Sequence, residues 1–197
     1  MSDLTLACQC EAFRAVIRDV SNRTGNHAVC YCVDCRAFVR HLGQEDRVLD
    51  TQGGSQLYQT QPYQVAFLSG ADHLAVMKLS EKGLYRWYAA CCDTPLGLTA
   101  GTPKISFASF LVANMHPPLD TLGPVRFRYK ADQALSPVTE AKGSLIGFAA
   151  RTTRNAMRSR LNGDWRKTPF FDAQSGQSIV PPRVLSPEER ALAYDEA

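Results

Sequence analysis

The sequence predicts a mainly β protein with a partly helical C-terminal extension. Three observations carry that expectation. Short segments of apolar or alternating character, each bounded by turn residues, run through most of the first 115 positions. All seven cysteines lie before residue 93, in three tight groups. Past Pro117-Pro118 the chain turns basic and takes on helical periodicity.

The elements follow in order. Strands are expected over 4–8, 13–20 and 27–31, with a loop by composition at 21–26. After Cys32 the pattern changes: Asp34 is placed to cap a short helix over 36–42, which Gly43 ends. A turn at 52–55 precedes strands at 56–59, 64–68, 73–79 and 84–90, with tight turns at 69–72 and 81–83. A last apolar strand is expected over 105–112, and one more over 125–129. The stretch 144–161 reads as a helix with Leu145, Phe148, Ala149, Thr152 and Ala156 on one stripe. Ser186-Pro187-Glu188-Glu189 carries an N-cap, a first-turn proline and early acids, so a terminal helix begins there. The expected organisation is a cysteine-bearing β domain over 1–118 and a basic, partly helical extension over 119–197 packed on it.

At 197 residues, with 45% apolar and 21% charged residues, the chain can bury a core without disulfides. The N-terminus lacks the features of a secretory signal, and no apolar run is long enough to cross a bilayer. A cytoplasmic protein with no membrane partner is therefore expected. Between 126 and 167 stand ten basic and three acidic residues, a net +7; the whole chain is +3, so the remainder carries −4. A solvated face is the first expectation for such a segment, ahead of an anionic small molecule, nucleic acid or a membrane surface, since charge alone is weak evidence for any of these.

In a reducing compartment, an odd number of clustered cysteines argues for a metal rather than a disulfide framework. The groups are Cys8-x-Cys10, Cys30-x-Cys32-x-x-Cys35 and Cys91-Cys92. Zinc is the default ion for such thiolates, held tetrahedrally. The middle group supplies three thiolates at the entry to a helix, whose N-terminus favours ionised sulfur. Three ligands leave one position for something else unless another residue joins, and His27 and Cys91 are the candidates. Adjacent Cys91 and Cys92 point to opposite faces of a flat strand, so both can ligate one ion only if the chain turns there.

These motifs, Cys8-x-Cys10, Cys30-x-Cys32-x-x-Cys35-Arg36 and Cys92-x-Thr94-Pro95-Leu96, resemble those of the glutathione-dependent formaldehyde-activating enzyme (GFA) family, which includes centromere protein V. The resemblance covers about residues 4–115. It implies a β-tent, a fold of folded antiparallel sheets stabilised by zinc. It implies a structural zinc shared by the first and last cysteine groups, and a second zinc on Cys30, Cys32 and Cys35 where the glutathione thiolate binds as fourth ligand. This sequence departs from the family pattern at Tyr31 (His in the family), Glu11 and Asp93 (both Gly) and Ala89 (Cys). The first site is then either Cys8, Cys10, Cys91 and Cys92, or a site short of a ligand, so one or two zinc ions per chain are expected.

Three thiolates blunt the acidity of zinc toward water and favour a soft thiolate as fourth ligand over hydrolysis. The expected activity is that of a carbon–sulfur lyase, S-(hydroxymethyl)glutathione synthase-like, with Cys30, Cys32 and Cys35 at the catalytic centre. Its substrate is an adduct of glutathione or another thiol with formaldehyde or a small electrophile. Arg36, Arg126 and Arg151, with Tyr31, are candidates for holding the tripeptide. Arg128 and Arg154 offer the same chemistry. The competing reading is a zinc-stabilised module that binds protein or nucleic acid without catalysis. A thiol redox protein ranks last.

Overall fold

The structure, a computed structural model, describes residues 2–195. In chain order the main elements are β1 (Ser2–Ala7), β2 (Arg14–Val20), β3 (Asn26–Cys30), α1 (Val33–His41), α2 (Glu45–Val48), β4 (Ser55–Thr60), β5 (Val65–Ser69), β6 (Leu74–Lys78), β7 (Tyr85–Ala89), β8 (Thr94–Thr99), β9 (Ala108–Leu111), β10 (Phe127–Tyr129), α3 (Leu145–Leu161), β11 (Arg183–Val184) and α4 (Pro187–Tyr194). The fold is mainly β, with its helical content weighted to the C-terminal part. Among the described residues the strands make two sheets, one ordered β1-β2-β5 and one ordered β10-β3-β4-β9-β8-β7-β6-β11.

Alternation sets the small sheet. Leu4 and Leu6 of β1 stand opposite Ile17 and Ala15 of β2, and all four are buried. They pack on the face of the large sheet that carries Trp87 and Phe110. Trp87 is fully buried and donates its indole N–H to Thr99 Oγ1 at 3.0 Å, the partner a buried indole needs.

β8 is the strand the sequence hid. Every one of its six residues is buried, yet it contains Pro95 and Gly97, which read as punctuation. The structure accommodates both. Pro95 sits opposite Tyr88 where the β7–β8 register shifts, a bulge that spares it a ladder hydrogen bond. At Gly97 a Cβ would stand 2.3 Å from the Ser109 carbonyl of β9, so only glycine lets the two strands close.

The chain past residue 118 is woven into the same body. β10 adds parallel to β3 and β11 parallel to β6, at the two edges of the large sheet. Phe170 enters the core against Phe67, Trp87 and Phe110. Among the described residues no helix is long and apolar enough to cross a membrane.

The stripe expected on α3 holds in part. Phe148, Thr152 and Ala156 are half-buried, but Leu145 is 57% exposed and Ala149 is exposed too. The helix faces the body with Phe148, Thr152, Asn155 and Ser159, and its contact is largely hydrogen-bonded. Thr152 Oγ1 donates to Gln59 Oε1 at 2.8 Å, Asn155 Nδ2 donates to the Thr24 carbonyl at 2.7 Å, and Ser159 meets Ser106 at 2.9 Å.

Candidate metal centre

Two groups of sulfur atoms converge, each with all its Sγ atoms within 4.8 Å of one another: Cys8, Cys10, Cys91 and Cys92, and Cys30, Cys32 and Cys35. A ZnS4 tetrahedron with bonds of about 2.3 Å has edges of about 3.8 Å. In the first group Cys8–Cys10, Cys8–Cys91, Cys10–Cys91 and Cys91–Cys92 are 3.6, 3.7, 3.3 and 3.8 Å apart. The residues fit a closed four-thiolate site.

Two turns make it. Cys8 directly follows β1 and Cys10 lies in the turn to β2, where Glu11 takes φ 59° and its N–H bonds the Cys8 carbonyl. Cys91 and Cys92 lie in the β7–β8 turn, closed by Asp93 at φ 48°. That turn removes the opposite-face problem of adjacent cysteines. Amides support the sulfurs as they do around bound metal: Phe13 N donates to Cys8 Sγ at 3.3 Å. Burial pushes the Cys92 thiol up, but bonds from Thr94 Oγ1, the Cys10 amide and the thiols of Cys10 and Cys8 bring it down to about 6.

The second group is built where β3 runs into α1. Cys30 is the last residue of β3, Cys32 is the N-cap of α1, and Cys35 lies in its first turn, with its amide bonded to the Cys32 carbonyl at 3.0 Å. Cys30 and Cys32 Sγ are 3.2 Å apart. The thiols of Cys30 and Cys32 hold Cys35 well below the usual thiol range, against its burial and helped by Arg86. Cys30 is driven the other way, by the thiols of Cys32 and Cys35 and by burial. Three crowded sulfurs share protons because they cannot all ionise without a cation among them. That donor set fits zinc.

Among the described residues no fourth Cys, His, Asp or Glu joins this trio. Cys91 belongs to the other group, and His27 bonds the Gly123 carbonyl (2.8 Å) and Gln56 Oε1 (3.3 Å) through its two ring nitrogens. The trio opens on a cavity of about 490 Å³ whose other walls include Leu98, Phe107, Phe148, Lys130 and Arg86.

Arg86, on β7, is the residue sequence reasoning missed. Its side chain is 5% exposed, its Nη2 lies 3.7 Å from Asp34 Oδ2, and its guanidinium sits over the Phe38 ring. Asp34 does not cap α1 as expected. It lies in the first turn and accepts from the Tyr194 hydroxyl of α4 at 2.6 Å.

Four expected substrate contacts lie elsewhere. Tyr31 is 1% exposed, and Arg36, also buried, donates to the carbonyls of Tyr31 (2.6 Å) and Gln133 (2.8 Å), which fixes the β3–α1 corner. Arg126 and Arg151 both donate to the Asn22 carbonyl, at 2.8 and 3.2 Å. None of the four lines the cavity.

The family of unknown function DUF6151 matches residues 1–176. The chain belongs to that family. Its match takes in both sulfur groups and Arg86 and ends before α4. No curated protein matches the chain. A crystal structure of a Rhodobacter sphaeroides protein is similar at 16% identity, with 64% of this chain and 98% of that one covered and a TM-score of 0.43.

Proposed function

We propose that the protein is a zinc-dependent carbon–sulfur lyase that joins a small thiol to the carbonyl carbon of a small aldehyde and cleaves the same bond in reverse. The observation that carries this reading is a trio of cysteines with no fourth protein ligand among the described residues, set in the wall of a largely apolar cavity. The cysteine pattern resembles that of the GFA family, from which come glutathione as the thiol and formaldehyde as the electrophile.

When bound, zinc supplies a soft coordination position that holds a substrate thiol as its thiolate near neutral pH. Cys30, Cys32 and Cys35 anchor that position at the helix N-terminus. The sulfur lone pair attacks the carbonyl carbon, the C–S bond forms as the C=O π bond breaks, and the oxygen takes a proton. A thiol and formaldehyde thus give an S-hydroxymethyl thioether with no other reactant. The apolar walls limit access of water to the reacting carbon, and about 490 Å³ lies within the range of small-molecule sites.

Cobalt substitution tests the reading. Glutathione, or a simpler thiol, should shift the visible spectrum of one of two cobalt ions. Cys32→Ser should abolish both that shift and adduct formation while the fold persists. A spectrum indifferent to every thiol would overturn the reading.

A second reading, a zinc-stabilised binding module, rests on a different observation. The outward face of α3 exposes Ile146 (83%), Met157 (60%) and Leu161 (84%) beside Arg154 and Arg158. Retention on nucleic acid that weakens steeply with salt would favour it.

A further inference from the structure

We propose that the thiol this site takes is apolar, a small alkyl or aryl thiol whose body fills the cavity beside the sulfur trio, rather than a charged peptide thiol. The inference rests on the thiol chemistry proposed above and replaces glutathione, the part of that reading that came from the resemblance.

Cys30, Cys32 and Cys35 form one side of the cavity. Leu57 of β4, Leu98 of β8, Phe107 ahead of β9 and Phe148 of α3 form much of the rest. Leu84, 40% exposed, and Tyr129, 46% exposed, stand in the same wall, so the space is open to an incoming molecule. Apolar side chains left uncovered beside a cluster of metal-ligating sulfurs call for an apolar partner. A thiol sulfur that joins the trio has its carbon skeleton in this space, where each buried methylene contributes about three- to four-fold in affinity.

Most polar groups of the wall are already engaged. The charged side chains that line the cavity are Asp34, Arg86 and Lys130. Arg86 meets Asp34 at 3.7 Å and bonds the Cys35 sulfur, and Asp34 also accepts from the Tyr194 hydroxyl. Gln59 Oε1 is taken by Asn26 and Thr152, and Gln133 Oε1 by the Val33 amide. Among the described residues, Lys130, itself exposed, is the lining cation that remains for a carboxylate. Three thiolates outweigh a divalent cation, so the trio offers no positive charge to a carboxylate either. Glutathione brings carboxylates and an ammonium group, and burying these without partners is costly. The arginines expected to hold them, Arg36, Arg126 and Arg151, are bonded to backbone carbonyls and do not line the cavity.

The test is the affinity of straight-chain thiols from ethanethiol to pentanethiol, read from the spectrum of the cobalt-substituted protein. These thiols share one sulfur chemistry and differ in length alone. Affinity should rise about three-fold per methylene, about 30-fold across the series, and glutathione should bind more weakly than pentanethiol. Leu84→Asp, at an exposed position, and Phe148→Ser, on α3, should each lower pentanethiol affinity by about five-fold more than ethanethiol affinity. Should either variant fail to fold, the series on the unaltered protein decides. Affinity that is flat along the series, glutathione binding tightest, or a rise that both variants leave intact would overturn the apolar assignment while the lyase reading stands. Failure of every thiol, glutathione included, to change the spectrum would overturn the lyase reading and this inference with it.

Discussion

At Glu11 and Asp93 the backbone adopts φ 59° and 48°, a region that costs residues with a Cβ about 1 kcal/mol or more. Both strains sit in the turns that deliver cysteine pairs to the four-sulfur group. Glycine adopts that region freely, so Glu11→Gly should raise stability by about 0.5–1 kcal/mol, with Asp93→Gly smaller because Asp tolerates left-handed geometry better. The exposed pair of Glu11 with Arg14, at 3.5 Å, contributes little to set against this. Urea denaturation of the metal-loaded variants checks it, and a loss of stability in Glu11→Gly would contradict the strain argument. The cysteines were legible because thiols cluster by spacing along the chain. Arg86 was not: a lone charge on a strand reads as its solvent side, and only sheet pairing turns it toward a corner made by residues 30–35.

Among the elements, α3 departs most from its sequence pattern. An amphipathic helix normally buries its apolar stripe, but here Gln59 and Asn26 in the sheet ask for polar partners. Thr152 supplies them, donating to Gln59 and accepting from Asn26 Nδ2 at 3.3 Å. Thr152→Val should therefore cost about 1 kcal/mol, since it removes the hydroxyl's hydrogen bonds while Asn26 Nδ2 and Gln59 Oε1 keep each other at 2.8 Å. Ile146→Ser, on the outward face, should stay within about 0.5 kcal/mol. The reverse ranking in thermal or urea unfolding would show that the stripe is covered. Periodicity located this helix within a residue at each end and picked Phe148, Thr152 and Ala156 on its docking side, but not Asn155 and Ser159, because their burial depends on polar partners from distant parts of the chain. β8 escaped for a related reason. Its proline and glycine are breakers taken alone and become fitting only beside Ser109 and Tyr88.

For the molecule as a whole, the two sulfur groups do different work. Cys8 and Cys10 border the small sheet, Cys91 and Cys92 the large one, so a metal held by all four staples the sheets across more than 80 residues of chain. Binding to the folded state alone adds stability by mass action. A chelator, or acid that protonates thiols, should lower the melting temperature mainly through this group. The trio lies within one corner of the chain and should contribute much less, as Cys32→Ser against Cys10→Ser would show. The mainly β character and the two thiol groups were readable from sequence. The joining of the C-terminal segment to both edges of the large sheet was not, because two- and three-residue strands carry no periodicity.

The most direct test is zinc per chain by native mass spectrometry, on the unaltered protein and on Cys10→Ser and Cys32→Ser. Two ions in the unaltered protein, and in Cys32→Ser the loss of one while the four-sulfur ion remains, are the predicted result. A single ion that survives Cys32→Ser, or none at all, would contradict it.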